Sequence, residues 1–85
     1  MMYQPHVLEF SHRRSQGLQR TYKVTLNVTQ LSFGAFAYEP WVHHQGSFKG
    51  NGIVFPLASG DLDSAISEAR ARIETDVEQL NGVSE

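Results

Sequence analysis

Four histidines, a scatter of serines and nine acidic residues are the side chains in this 85-residue chain with chemistry to offer. A metal site is the first reading to test. His43 and His44 are adjacent, and on a strand adjacent side chains point to opposite faces, so the pair cannot share an ion. His6 and His12 share a parity, but six residues of strand at ~3.3 Å each set them about 20 Å apart. No carboxylate sits at recognisable ligand spacing. There is no cysteine, which excludes thiolate sites and disulfides. No metal and no cofactor are expected.

Nucleophilic and acid–base chemistry fares no better. Ser, His and Asp occur without a strained nucleophile turn or a glycine-rich elbow. A chain this short also struggles to enclose the ~300 Å³ or more that small-molecule sites occupy. No catalytic residue is assigned, and an enzyme is not expected. Phosphate binding at a helix N-terminus fails on charge: Ser59-Gly60 precedes a helix, but Asp61 and Asp63 stand where the anion would go.

Nucleic acid offers a nearer match. Ser32–Tyr38 (SFGAFAY) has an aromatic strand of the kind that stacks bases, which needs rings two apart on one face. Phe33 and Phe36 are three apart and diverge; Phe36 and Tyr38 do share a face. The polar stretch 11–20 with strand residue 23 supplies Arg13, Arg14, Arg20 and Lys23 as phosphate contacts. The other reading of these cations is an ordinary solvated loop in a chain of net charge −2.

The elements that must position these groups follow from periodicity. Leu62, Ile66, Ala69, Ile73, Val77 and Leu80 fall at steps of three and four, one face of a helix over 62–80 about 28 Å long at 1.5 Å per residue. Asp61 suits the N-cap, and Asn81-Gly82 suits the stop. Residues 81–85 would then be a frayed tail. Glu68 and Arg72 form a helpful i,i+4 pair, Glu74 and Glu78 a repulsive one. In Thr21–Thr29, Tyr22, Val24, Leu26 and Val28 alternate with polar residues, which predicts a strand with one buried face. His6–Phe10 fits a first strand and Ser32–Glu39 a third, which Pro40 should end or bend. Residues 41–52 form either a hairpin or a wide irregular loop. Ile53–Leu57 is a last short strand. Consecutive strands followed by one helix predict a single α+β domain over 1–85: an antiparallel β-meander of three to four strands with the helix on one face.

That layout implies an exposed surface. A helix about 10 Å across covers two or three strands spaced about 4.8 Å apart, on one face only. Ser32–Glu39 is apolar on both parities, with Trp41 close behind. Rings that one helix cannot shelter, Phe36, Tyr38 and Trp41, are the candidate partner-binding residues, for a protein partner or a second copy. The other reading is that residues 41–52 fold back and bury them.

Charge is divided along the chain: residues 1–50 carry a net +3 and residues 51–85 a net −5. Opposite ends of this kind can orient a partner. Met1–His6 lacks the basic and apolar regions of a signal peptide. No apolar run approaches the ~20 residues that span a bilayer. A cytoplasmic protein without a membrane partner is expected, a setting compatible with the absence of cysteine.

The stretch Gly60-Asp61-Leu62-Asp63-Ser64-Ala65-Ile66-Ser67-Glu68-Ala69-Arg70-Ala71-Arg72-Ile73 resembles HicB-type antitoxins, in which a Gly-Asp turn opens an Ala-rich amphipathic helix after a β-meander. The likeness spans about residues 20–80. It implies the meander-plus-helix architecture and a binding role, since members of that family bind and mask a small ribonuclease toxin. It assigns no functional residue.

Overall fold

A computed structural model of the chain describes residues 5–31 and 33–85. The signal-peptide reading of residues 1–4, and Ser32 at the start of the third predicted strand, lie outside these. The described residues form β1 (His6–Arg13), β2 (Thr21–Gln30), β3 (Phe36–His44), β4 (Ser47–Asn51), β5 (Phe55–Pro56) and α1 (Leu62–Gln79). The sheet is antiparallel in the order β1-β2-β3-β4, and β5 adds to β3 beyond the end of β4. This is the α+β meander with one C-terminal helix that the periodicity predicts.

Register explains which face is buried. Leu8 faces Leu26, Phe10 faces Val24, Val28 faces Tyr38 and Val24 faces Val42, so the even-numbered residues of β1, β2 and β3 share the side on which α1 lies. Tyr22, Val24, Leu26 and Val28 are fully buried there, against Ala65, Ala69, Ile73 and Val77 of the helix. Alanines at two of these four helix positions let its backbone approach the sheet closely. Leu62 and Ile66 of the predicted stripe are only partly buried. The Asp61 carboxylate accepts the Ser64 N–H at 3.0 Å, the N-cap that the sequence indicates.

One expectation about the strands is overturned. Pro40 does not end β3; it pairs with Leu26 in mid-strand. Its carbonyl accepts the Gly52 N–H at 2.7 Å, so the side on which its own N–H would lie faces the gap between β4 and β5, where no ladder partner stands. The missing donor costs nothing at that position. Residues 41–52 resolve as a hairpin whose turn, Gln45 at φ 49° and Gly46 at φ 84°, has both central residues left-handed. Lys49 is the extra residue of a bulge, since Val42 pairs with Gly50 and His43 with Phe48.

Nor do residues 81–85 fray. The left-handed residue at the helix end is Leu80 (φ 55°), one position before the predicted Asn81-Gly82 stop, and the Asn81 N–H reaches back to the Asp76 carbonyl at 2.8 Å. Gly82 then turns the chain inward and Val83 enters the core, 4% exposed, a burial worth about 1.5–3 kcal/mol. The Ser84 N–H donates to the Lys49 carbonyl at 2.9 Å, which ties the tail to β4. Gly50 makes room for this: with φ +139° its pro-Cβ direction points into the Gly82 carbonyl oxygen. Gly50→Ala should therefore destabilise by roughly 1–3 kcal/mol, read as a lower urea midpoint. Gly60→Ala, where an added methyl meets nothing, should stay within about 0.5 kcal/mol. Equal midpoints for the two variants would refute the close approach.

Candidate functional site

The polar stretch between β1 and β2 is a clamp on the end of the helix. Arg14, 5% exposed, donates from Nε and Nη2 to the Glu78 carbonyl at 3.1 and 2.8 Å, and from Nη1 to the Glu85 carboxylate at 2.8 Å. The Glu85 side chain also accepts the Leu18 N–H, while the Glu85 carbonyl accepts from Arg20. The Glu78 carboxylate receives the Ser15 N–H and hydroxyl, the Gln16 amide and His12 Nε2. His12 Nδ1 lies 3.8 Å from Glu74, so one imidazole stands between the two carboxylates that repel each other along the helix.

The expected phosphate contacts are therefore not brought together. Arg14 and Arg20 are engaged with the tail. Arg13 donates to the Gln19 carbonyl in its own loop, and Lys23 pairs with Glu9 at 3.1 Å on the other face of the sheet. Buried Arg14 cannot reach a polyanion without breaking the helix-end contacts.

Phe36 and Tyr38 are corrected as well. Both point to the helix side and belong to the core, 5% and 1% exposed. What shelters them is not apolar helix surface alone. Tyr38 stacks on Phe55 of β5 with ring centres 5.3 Å apart, and the Arg72 guanidinium lies over it, anchored by a 2.7 Å hydrogen bond to the Pro56 carbonyl. Arg70 covers Phe10 in the same way at 4.2 Å. Long arginine stems extend the footprint of the helix beyond its backbone width.

Of the three expected rings, only Trp41 faces the bare side. The odd-numbered residues of β1, β2 and β3 form that side, in cross-strand rows of Lys23 with His43, Thr25 with Trp41, Asn27 with Glu39 and Thr29 with Ala37. Trp41 is half-buried between two hollows. One is lined by Lys23, Thr25, His43 and Gly46; the other, about 220 Å³, by Asn27, Thr29, Leu31, Glu39 and Val54. Phe48 of β4, 56% exposed, sits edge-on to His43 with centres 5.5 Å apart, and Val54 is also exposed. Phe48 and Val54 do not show in the sequence, because Phe48 faces this side only through the two-residue turn at Gln45-Gly46 that sets it against His43, and Val54 only through residues 52–54 leaving the sheet. Phe33, at the turn before β3, is exposed too, but away from this cluster in the chain.

The electrostatics are those of structural anchoring. The Ser15 N–H and hydroxyl, with His12 and Gln16, hold the Glu78 carboxyl down at about 2 against partial desolvation. The Ala58 N–H and the Ser59 hydroxyl lower Glu68, whose carboxylate binds the connector into α1. Burial raises the Tyr38 phenol, with Arg72 opposing. Among the described residues no cluster of three or more His, Cys, Asp or Glu is arranged for a metal ion, and no helix is long and apolar enough to cross a membrane.

The fold and this surface define an α+β domain with a one-sided sheet. The sequence matches no protein-family model, and neither curated proteins nor solved structures give a match.

The depressed Glu78 pKa sets a pH dependence. The folded state keeps this carboxylate ionised where the unfolded chain, at about 4.5, would bind a proton. Its contribution is complete above pH 4.5 and is lost as the pH falls toward about 2. Urea midpoints for Glu78→Gln should be lower at neutral pH and should decline less steeply across that window than those of the unaltered protein. Parallel slopes would contradict the assignment.

Proposed function

We propose that the protein is a non-catalytic, cytoplasmic protein-interaction module that docks a protein partner on its bare sheet face, with Trp41 at the centre and Phe48 and Val54 beside it. The observation that carries this reading is one-sided cover: α1 lies on the even-numbered face alone, and the opposite face presents a tryptophan between two hollows. Tryptophan and phenylalanine are enriched where interfaces are buried, and a half-buried indole flanked by Thr25 and Asn27 has the apolar centre and polar rim of a binding patch. The binding role implied by the HicB-type likeness agrees with this. A nucleic-acid role is disfavoured, because two of its four cations are tied to the helix end and the tail.

The surface reading separates from a structural one by stability. Phe48→Ser and Val54→Ser should leave the urea midpoint within about 0.5 kcal/mol of the parent, as surface positions do. A photo-reactive phenylalanine at position 41 should form an adduct in cell extract that excess unlabelled protein abolishes, and the same group at Ser67, on the exposed side of α1, should not. Non-competable adducts at both positions, or a large loss of stability in the serine variants, would remove the docking face.

A further inference from the structure

The sheet has a second unused surface, the outer edge of β1. This strand has eight residues and, among the described residues, a single neighbour, β2. Natural edges are protected by charged side chains, lysine above all, by proline, by bulges or by short length; the charged residues of β1, Glu9 and Arg13, are opposite in sign. Between His6 and Arg13 there is no lysine and no proline, and the register with β2 runs without a bulge. Its two half-buried apolar side chains on the helix side, Leu8 and Phe10, pack on the rim of the core.

We propose that β1 pairs antiparallel with β1 of a second copy, about a two-fold axis through Phe10. An axis normal to the sheet brings a strand against its own copy with the faces preserved, so both helices lie on one side and both Trp41 faces on the other. Charge and overlap together select the register: an axis through Ser11 would set Glu9 directly opposite Arg13 of the second copy, but it overlaps only residues 9–13 and leaves Phe10 against His12. An axis through Glu9 would set the two Glu9 carboxylates directly opposite. An axis through Phe10 sets Glu9 against Ser11 of the second copy, one diagonal step from its Arg13 on one side and from its Glu9 on the other, so two attractive diagonals outweigh one repulsive one, and overlaps residues 7–13 of each strand. Each interface then gains two Glu9–Arg13 pairs by symmetry, within reach of a long side chain across a diagonal. Phe10 meets Phe10 on the helix side. Arg13 has no acidic partner among the ion pairs of the described residues, and Glu9 is held only by exposed Lys23. The strand is thus complementary in charge to its own reverse.

This deepens the interaction reading by naming a second copy as a partner, at an edge distinct from the Trp41 face, so the two fail in different experiments. The test is the molar mass of the full chain by sedimentation equilibrium over a micromolar concentration series, for the parent, Glu9→Arg, Arg13→Glu and the double exchange, each checked for a native circular dichroism spectrum. The parent should dimerise, each single variant should weaken the dimer at least tenfold, and the double variant should recover most of it. Contacts within one chain would not produce that recovery, since Glu9 and Arg13 lie four residues apart on the same strand. A parent that stays monomeric throughout overturns the proposal. So does a dimer that both single variants leave intact but Phe48→Ser dissolves, an outcome that would move self-association to the Trp41 face.

Discussion

One buried cation holds this small molecule together. Arg14 comes from the loop between β1 and β2, yet its guanidinium lies against residues more than sixty positions on, the Glu78 carbonyl in the last turn of α1 and the Glu85 carboxylate. A charge withdrawn from water is tolerable only when it is paired and fully hydrogen-bonded, and Arg14 has both kinds of partner. The last turn of α1 contains no basic residue of its own, so the favourable positive charge at the negative end of the helix dipole is supplied from the sheet. Glu78 returns the grip by accepting the backbone of Ser15. Helix, loop and tail are thereby locked in one arrangement, and the sheet keeps one covered and one bare face.

The clear periodicities were legible from the chain. β2 alternates strictly because its even residues meet the helix and its odd residues meet water; α1 repeats at three and four because its inner stripe meets β2 and β3. What was not legible depends on distant partners. Pro40 reads as a strand breaker unless it is known that its hydrogen-bonding side faces a gap. Residues 81–85 read as loose because nothing local shows that Gly50 lacks the methyl group that would exclude them. The basic loop reads as a polyanion contact because its acidic partners, Glu78 and Glu85, stand more than sixty residues away.

The helix covers only one face, but Phe36 and Tyr38 lie on that face, and Tyr38 is roofed in part by Phe55 and the Arg72 guanidinium. The width of an amphipathic helix is set by the reach of its flanking cations as much as by its apolar stripe. The rings on the opposite face are Trp41 and Phe48, and even-numbered Phe48 lies there because the two-residue turn sets it against His43.

The contact between Arg14 and Glu85 bridges 71 positions of the chain. Structures rich in such distant pairings close their topology late, since loop-closure entropy precedes the reward of the contact. During synthesis the β1–β2 hairpin emerges long before the residues that neutralise its arginine. Until they appear, that cation must remain hydrated, which keeps the early segment open and reversible. Final consolidation thus waits for translation of residues 78–85 rather than of the β1–β2 hairpin.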